Sequence, residues 1–231
     1  MKETDRIKEV YSKYLSSNIF NDLYGSFGIN TYHNYVFEKE LLKYFFSRNI
    51  PEFNRKKVLD VGTGAAEILF FFLKHGITLK NIFGLELLLL RAEKVKKKYG
   101  FFQFLNANGE NIPFADKCMD IITLTYVFSS IIEDKMCYNI GKEMLRVIKD
   151  DGIIIWYDSY GGKKLSENTR SYKENDIKQF FPDCEYEFKR IGLGKIFNKR
   201  IEKYSWLIAD VVSAIFPFLN CMQLCIIKKR K

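Results

Sequence analysis

The 231-residue sequence predicts an α/β protein built on a doubly wound, parallel sheet. Three observations predict it. From Lys57 onward, short apolar runs alternate with helical patterns, which is typical of a parallel sheet covered by helices on both faces. The first run ends in a glycine turn, VLDVGTGAAE, before a second apolar run. Hydrophobic residues make up 47% and charged residues 28% of the chain, as in a folded globular domain.

Residues 1–55 are predicted to form a helical cap that belongs to the same domain as residues 56–231. Apolar side chains recur at helical spacing in two stretches of this region; they are Ile7, Val10, Tyr11 and Tyr14, then Tyr35, Leu42, Phe45 and Phe46. The sequence LYGSFGIN separates the two stretches. Pro51 closes the region, because the residue before a proline is biased away from helix.

Five strands are predicted after the cap, in the sequences KVLDV, NIFGLE, FFQFL, MDIITLTYV and DGIIIWYD. Helices are predicted near residues 64–75, 88–99 and 135–149. A polar stretch without periodicity, residues 159–176, follows the fifth strand. Beyond it we predict a short helix ending near Phe181, a strand at CEYEFKRIG, a helix from about Tyr204 to Phe216, and a last strand at CMQLCII. Ligands of such sheets bind beyond the carboxyl ends of the strands.

The net charge of +9 suits nucleic acid, an anionic membrane surface or an anionic small substrate, and does not choose among them. The five cysteines include no CxxC pair and only two histidines accompany them, so we expect reduced thiols and no metal site. The N-terminal sequence MKETDRIKEV lacks the apolar centre of a signal peptide. A cytoplasmic location is therefore expected, with the inner face of the membrane as a second interpretation.

The glycine turn after the first strand predicts a cofactor site. Gly62 and Gly64 permit a tight turn and let backbone N–H groups approach a ligand with no Cβ in the way. A dinucleotide fingerprint needs a third small residue where Glu67 stands, and this acid would repel a pyrophosphate, so NAD is disfavoured. Asp60 ends the strand on the other side of the turn, which also contains Thr63. Acids on both sides suit a ligand with ammonium and sulfonium charges and one carboxylate, which describes S-adenosylmethionine.

Residues that follow the next strands predict the remainder of the cofactor site. Glu86 closes the second strand, where a carboxylate can accept hydrogen bonds from both ribose hydroxyls. Asn108 follows the third strand, and its amide can both donate to and accept from an adenine edge. The cofactor-binding candidates beyond the glycine turn are Glu86, Leu87, Asn108, Gly109, Glu110 and Thr125.

Four ordered motifs resemble class I S-adenosylmethionine-dependent methyltransferases of the type 11 kind, in the branch that includes quinone-biosynthesis enzymes. The motifs are VLDVGTGAAE, GLELLLLRAEK, NANGENIPFADKCMDII and EMLRVIKDDGIIIWYD, and they cover residues 57–158. The family usually has glycine where Ala66 stands and aspartate where Asn108 stands. The resemblance implies S-adenosylmethionine as cofactor, S-adenosylhomocysteine as product and no metal. It also implies a Rossmann-like, seven-stranded sheet of order 3-2-1-4-5-7-6 whose last strand is antiparallel.

The C-terminal third resembles a bacterial subgroup associated with the synthesis of surface polysaccharides. The similar sequences are IWYD, NTR, FPDCEYE, SWLIADVVSAIFPFL and IIKK, within residues 155–229. This resemblance implies methyl transfer to a small anionic acceptor, such as a sugar hydroxyl or phosphoryl oxygen of a nucleotide- or lipid-linked glycan precursor. O-methyl transfer is the reaction that we expect on this ground.

Methyl transfer needs alignment, desolvation and, for a hydroxyl acceptor, a group that takes its proton. The catalytic candidates are Asp158 at the end of the fifth strand, Tyr126 at the end of the fourth, and His33 in the cap. Tyr157 and Arg170 are the substrate-binding candidates, Arg170 because its planar fork suits a phosphate or carboxylate. Each has an alternative role. Asp158 can cap the next loop, and the two tyrosines can pack in the core. His33 can be structural, and Arg170 can be a solvated loop residue.

Three other functions compete with this interpretation. A nucleic-acid methyltransferase would use the positive charge, but TYVFSS stands in place of an Asn- or Asp-Pro-Pro-aromatic motif and a Pro-Cys nucleophile is absent, so nucleic acid is disfavoured. A lipid or quinone methyltransferase at the membrane surface is the nearer alternative, since WLIADVVSAIFPFL beside the basic tail can lie on an anionic bilayer. We expect instead that this helix is buried against the sheet. The third alternative is a module that binds the cofactor without catalysis.

Overall fold

The computed structural model describes residues 2–16, 29–162, 164–194 and 205–230. Seven strands form the central sheet: β1 (Val58–Val61), β2 (Ile82–Glu86), β3 (Gln103–Asn106), β4 (Met119–Thr125), β5 (Ile148–Ser159), β8 (Cys184–Leu193) and β9 (Asn220–Lys229). A separate hairpin pairs β6 (Lys164–Ser166) with β7 (Thr169–Arg170).

The sheet order is β3-β2-β1-β4-β5-β9-β8. Strands β1 to β5 pair in parallel, whereas β9 runs antiparallel to both β5 and β8. When the short hairpin is left out of the numbering, this is the predicted order 3-2-1-4-5-7-6 with an antiparallel last strand. The predicted fold class is therefore confirmed.

Helices cover both faces of the sheet. They are α1 (Glu3–Ser16), α2 (Ile29–Arg48), α3 (Glu67–Lys74), α4 (Leu89–Lys98), α5 (Asp134–Val147), α6 (Glu174–Phe180) and α7 (Trp206–Ile215). One core layer contains buried residues of α1, α5 and α6, and the other contains buried residues of α2, α3 and α7. In the region predicted as a cap, Ile7 of α1 belongs to the first layer and Leu41 of α2 to the second.

Alternate residues of the central strands face opposite layers. In β4, Ile122 and Leu124 pack into the layer of α5, while Ile121 packs into the layer of α3. Trp156 and Tyr157 divide in the same way in β5, and both are fully buried. Burying one such side chain stabilises the fold by about 1.5 to 3 kcal/mol. The sheet is thus a fixed base whose carboxyl edge positions the loops that follow its strands.

Two segments differ from the sequence prediction. The first core helix begins only at Glu67, because the glycine turn occupies the residues before it. The polar stretch after β5 is not featureless, since it contains the β6–β7 hairpin and Ser166 and Thr169 share a side-chain hydrogen bond of 2.7 Å. The break that was predicted at LYGSFGIN falls almost wholly outside the described residues.

The C-terminal helix is only partly the buried covering helix that the sequence predicts. Ala209 is buried and Val212 packs against the core. The opposite face is open to solvent, with Leu207, Ile208, Val211 and Ile215 at least half exposed. None of the helices in the described part of the chain is long and apolar enough to cross a membrane.

The basic tail does not lie beside this helix, although the lipid-methyltransferase alternative treated the two as neighbours. The first residue of β9, Asn220, accepts a hydrogen bond from Ser213 of α7 at 2.8 Å. From there β9 runs about 30 Å along the sheet before it reaches the tail. Lys229, at that far end, pairs with Asp150. The helix and the tail therefore do not share one surface.

Candidate functional site

A cleft opens at the carboxyl edge of β1, β2 and β4. Its walls are the loops that follow β1 to β4, and α1 covers part of it through Ile7 and Tyr11. Eight of the ten predicted cofactor residues line it: Gly62, Thr63, Gly64, Glu86, Leu87, Asn108, Gly109 and Thr125. Asp60 is buried in β1, and Glu110 stands next to the lining.

The glycine turn after β1 depends on positive φ angles at Gly62 (77°), Gly64 (55°) and Ala66 (65°). The N–H group of Gly62 donates to the Leu85 carbonyl at 2.8 Å, which ties the turn to β2. A Cβ on Gly62 would overlap Cγ2 of Val127. Ala66 keeps the left-handed conformation without being glycine, at a cost of about 1 to 2 kcal/mol.

Glu86 connects the glycine turn to the loop after β2. Its carboxylate is 4% exposed; Oε2 accepts from the N–H of Gly64 at 3.0 Å, and Oε1 accepts from the N–H of Leu88 at 3.1 Å. The guanidinium Nε of Arg91 lies 3.9 Å from Oε2. A carboxylate offers about four lone-pair sites. Both oxygens of Glu86 therefore retain acceptor capacity on the cleft.

Glu110 holds the side chain of Asn108, which lines the cleft. The Asn108 amide donates to Glu110 Oε2 at 3.1 Å, and the N–H of Glu110 donates to Asn108 Oδ1 at 3.0 Å. Asn139 of α5 donates to Glu110 Oε1 at 2.8 Å. These bonds fix the rotamer of Asn108 at the cleft wall. Glu110 is thus a positioning residue.

Asp60 is a buried carboxyl group with one oxygen unpaired. Oδ1 accepts a hydrogen bond from Thr123 at 2.7 Å, while Oδ2 has no hydrogen-bond partner within the described part of the chain. Burial raises the pKa of Asp60 to about 7. A cation bound near this carboxyl would favour its ionised form.

Comparison with protein families agrees with this geometry. Residues 59–156 match the model of a family described as a methyltransferase domain. Residues 59–156 form a methyltransferase domain.

Two thirds or more of the chain is also similar to curated methyltransferases. It is 25% identical over 223 residues to the ubiquinone/menaquinone biosynthesis C-methyltransferase UbiE of Rickettsia typhi, which covers 92% of this chain and 83% of that protein. It is 28% identical over 157 residues to a demethylmenaquinone methyltransferase of Geobacillus sp., which covers 66% of this chain and 61% of that protein.

Solved structures share the fold of the methyltransferase domain. A SAM dependent methyltransferase from Archaeoglobus fulgidus gives a TM-score of 0.58 at 15% identity, covering 83% of this chain and 94% of that one. The PH0226 protein from Pyrococcus horikoshii gives 0.57 at 14% identity, covering 83% and 89%. This likeness supports the Rossmann-like architecture that the strand order already shows.

S-adenosylmethionine is the cofactor of the methyltransferase, and the cleft residues fit it. Glu86 retains acceptor sites for hydroxyl groups. The N–H groups of Gly62 and Gly64 are bonded to Leu85 and Glu86, so the glycines shape the turn and do not donate to a ligand as the sequence had suggested. The unpaired Oδ2 of Asp60 suits a cationic group. When bound, the cofactor supplies a methyl group activated by positively charged sulfur. The described part of the chain contains no cluster of His, Cys, Asp or Glu that could hold a metal.

Asp158, the first catalytic candidate, lies at the end of β5 but not on the cleft lining of the methyltransferase. It is fully buried, and its two oxygens accept from the N–H groups of Ser129 and Ser159 at 2.9 and 2.7 Å. Burial raises its pKa to about 6. This geometry favours the alternative role that the sequence left open, a carboxylate that caps the neighbouring loops.

Tyr126 is the catalytic candidate that does line the cleft. It follows β4 with a positive φ of 56°, which places a strained residue beside the cofactor site. Its ring meets the ring of Tyr157 edge-on, with centroids 5.2 Å apart. Tyr126 is 38% exposed, and a tyrosine hydroxyl with its ordinary pKa of about 10 is protonated at neutral pH, so it does not act as the base. It can donate a hydrogen bond to an acceptor oxygen.

Tyr157 and His33 lie behind the cleft wall. Tyr157 is fully buried and stacks on Phe37 of α2 at 4.3 Å between centroids, as the packing alternative requires. His33 is 4% exposed, and its Nε2 lies 3.0 Å from the carbonyl oxygen of Leu193. Neither side chain lines the cleft of the methyltransferase. Their predicted substrate-binding and catalytic roles remain predictions.

Arg170 is engaged within the protein. Its guanidinium pairs with Asp134 at 2.5 Å, donates to the carbonyl of Ile132 at 3.1 Å and lies over the ring of Tyr172. The arginine thereby fastens the β6–β7 hairpin to the start of α5. An acceptor anion would have to compete with this carboxylate, so the geometry favours a structural role.

Three side chains that close the cleft were not assigned to the site from the sequence, although Glu67 was recognised there as an acid beside the glycine turn. Glu67, at the start of α3, lines it and accepts a hydrogen bond from Asn34 at 2.8 Å. Arg91 of α4 and Tyr11 of α1 face each other across the opening, with the guanidinium over the ring. The signal for Glu67 was present, since an acid stands where a nucleotide site needs a small residue. No local signal could have brought Tyr11 to this site.

Proposed function

We propose that the protein transfers a methyl group from S-adenosylmethionine to a ring carbon of a hydroquinone-type acceptor with an apolar side chain. The observation that carries the proposal is the similarity to the Rickettsia typhi C-methyltransferase over 92% of this chain. This similarity favours the quinone alternative over O-methyl transfer to a glycan precursor. None of the relatives described above supports the polysaccharide subgroup.

The walls of the cleft support a flat, apolar acceptor. Ile68, Tyr126, Ile131, Met136 and Ile140 line it beside the glycine turn. Aromatic and aliphatic walls with few polar groups suit an aromatic ring, and the polar groups that remain orient it. The arginine expected to bind a glycan phosphate is instead paired with a carboxylate of the protein.

Carbon methylation requires that a ring hydroxyl loses its proton, because the phenolate raises the electron density of the neighbouring ring carbon. We propose that the carboxylate of Glu67 accepts this proton. Its carboxylate lines the cleft and accepts a hydrogen bond from the Asn34 amide at 2.8 Å, and a carboxylate within reach of the hydroxyl can take its proton. The ring carbon then forms the bond to the methyl group while the sulfur keeps the electron pair of the broken bond. Loss of the ring proton to solvent restores the aromatic ring.

The test supplies the full chain with S-adenosylmethionine labelled at its methyl carbon and a water-soluble hydroquinone under reducing conditions. Label on a ring carbon, resolved from label on oxygen by nuclear magnetic resonance, is the expected result. Glu67→Gln should lower kcat by about 100-fold or more and leave the affinity for S-adenosylhomocysteine within about twofold. Glu93→Gln, an exposed acid on α4, is the matched control. Label in nucleotide sugars or lipid-linked saccharides, with none in the hydroquinone, would overturn the proposal.

A further inference from the structure

The outer surface of α7 and the turn after it carry an unusual density of exposed apolar side chains. Between residues 207 and 218 the exposed fractions are 74% for Leu207, 52% for Ile208, 50% for Val211, 63% for Ile215, 44% for Phe216 and 69% for Phe218. We call these six residues the α7 face. Contiguous exposed apolar side chains mark interaction sites, whereas single ones need no explanation.

The α7 face is a single stripe and not a scatter. At about 100° per residue, the four members within the helix, Leu207, Val211, Ile215 and Ile208, fall inside an arc of about 100°. Asp210 faces the other way and pairs with Lys39 of α2. Trp206, Ala209 and Val212 face the protein, so α7 has apolar side chains on its solvent side as well as on its protein side. A surface helix usually has polar residues on its solvent side.

Basic side chains flank the α7 face. A groove between α2, β8 and α7 has four basic and three acidic side chains in its lining: Lys39, Lys43, Lys189 and Arg190, with Glu40, Glu174 and Asp210. Lys39 pairs with Asp210, and Lys43 and Lys189 share Glu40, so the cations exceed the acids by one at this border. The whole chain carries a net charge of +9. An apolar helix surface with cations at its border is the arrangement of helices that lie in the interface of an anionic bilayer.

The size of the α7 face argues against a second copy of this chain as its partner. A stable interface between copies takes about 20 to 30 residues from each side, and the α7 face has six members. Ten residues of helix span about 15 Å, half the thickness of the hydrocarbon core, so α7 cannot cross a membrane. A helix of this length can lie flat in the headgroup region.

The α7 face neighbours the methyltransferase cleft through a single turn of α2. Tyr35 packs on Trp206 with ring centroids 5.1 Å apart, and its hydroxyl donates to Asp210 of α7 at 3.3 Å. The adjacent residue, Asn34, donates to Glu67 on the cleft at 2.8 Å. Two neighbouring residues of one helix thus contact both α7 and the cleft.

We propose that the α7 face docks the protein on the surface of an anionic lipid bilayer. Docking itself needs only the exposed apolar stripe and the flanking cations. Its consequence for catalysis rests on the proposed function: an acceptor with an apolar chain dissolves in the bilayer, and docking brings the cleft to it. The substrate then reaches the enzyme from the membrane and not from water.

Sedimentation of the full chain with vesicles tests the docking. Vesicles of equal parts phosphatidylglycerol and phosphatidylcholine should carry the wild-type protein down, and added salt should weaken this binding. The triple variant Leu207→Gln, Val211→Gln, Ile215→Gln removes the stripe with residues that favour helix. Its partitioning should fall by at least about tenfold. The control triple variant Phe46→Gln, Leu89→Gln, Leu90→Gln removes equally exposed apolar groups elsewhere and should bind as the wild type does.

Three results would overturn the docking. The first is wild-type protein that stays in the supernatant with anionic vesicles, and the second is a stripe variant that sediments as well as the wild type. The third is a wild-type dimer, seen by light scattering, that the stripe variant converts to monomers, because the face would then be an interface between copies. Circular dichroism of the stripe variant checks that it is folded.

Activity separates this inference from the proposed function. With a water-soluble hydroquinone the stripe variant should match the wild type, whereas with a long-chain hydroquinone in anionic vesicles it should lose at least about tenfold in rate. Vesicle binding without methylation of any hydroquinone would contradict the proposed function and would still support the docking. Equal rates for both proteins on vesicle-borne acceptor would sink the role of the α7 face in delivery.

Discussion

The carboxylate of Glu86 holds the backbone of Gly64: its Oε2 accepts the Gly64 N–H at 3.0 Å, across the gap between the ends of β2 and β1. The residue assigned to the cofactor therefore also shapes the turn on which the cofactor lies. The other oxygen accepts the Leu88 N–H at 3.1 Å, so one side chain organises two loops of the cleft.

Glu86→Gln should weaken cofactor binding. The amide keeps one oxygen acceptor and places an NH₂ group where the second oxygen accepted, so a charge-assisted bond is lost. Such bonds contribute about 1.5 to 3 kcal/mol, so the dissociation constant for S-adenosylhomocysteine should rise by about 10- to 100-fold, measured by calorimetry. Glu93→Gln serves as the control. Unchanged affinity in Glu86→Gln would remove this residue from the cofactor site.

Gly62→Ala should destabilise the fold through a specific contact. The new Cβ would overlap Cγ2 of Val127, and the φ of 77° disfavours any side chain. Together these effects should lower the free energy of unfolding by about 2 to 4 kcal/mol in urea titrations. Adding Val127→Ala should make the combined loss smaller than the sum of the two single losses. Strict additivity would mean that the overlap does not limit this position.

The sheet and the loops at its carboxyl edge were predictable from the sequence for a local reason. Strands buried on both faces appear as continuous apolar runs, and residues such as Glu86 and Asn108 directly follow those runs. Parallel order then brings the carboxyl ends of the strands to one edge. The position of a residue in the sequence therefore indicates which other residues lie near it at that edge. Eight of the ten residues expected to bind the cofactor lie on one cleft for this reason.

Roles that depend on distant contacts were not predictable. Asp158 ends a strand as a base would, yet its oxygens are taken by the N–H groups of Ser129 and Ser159. Arg170 meets Asp134, 36 residues away, because of a hairpin hidden in a polar sequence without periodicity. Sequence spacing identifies the edge to which a residue belongs, but not the partner that engages its polar atoms.

The first helix covers the cleft through long-range bonds of the same kind. Glu3 Oε1 accepts the N–H of Ile132 at 2.7 Å, and Arg6 donates to the carbonyl of Ser130 at 2.7 Å. Ile7, one turn along, is 6% exposed and lines the cleft. The bonds at residues 130–132 thus fasten α1 over the cofactor site.

Arg6→Ala should loosen this cover without abolishing the cofactor site. We expect S-adenosylhomocysteine to dissociate about 3- to 10-fold faster, because a hydrogen bond from a charged donor contributes about 1.5 kcal/mol or more. Hydrogen exchange of α1 should increase in the same variant and should slow when the ligand is added. Glu9→Gln, on the exposed side of α1, should change neither quantity. A dissociation rate equal to that of the wild type would show that α1 does not retain the cofactor.

Asp60 makes the stability of the protein depend on pH. Burial raises its pKa from 3.8 to about 7, so between these values the folded protein keeps a proton that the unfolded chain has released. The folded state then binds more protons than the unfolded state, and the free energy of unfolding falls as pH rises from about 4 to about 7. The total change is on the order of a few kcal/mol. Burial also raises the pKa of Asp158, to about 6, and this residue contributes a smaller change of the same sign.

Urea unfolding of Asp60→Asn at about pH 5 and about pH 8 should show that the free energy of unfolding depends much less on pH than in the wild type. The same slope in both proteins would mean that Asp60 ionises in the folded state as readily as in water.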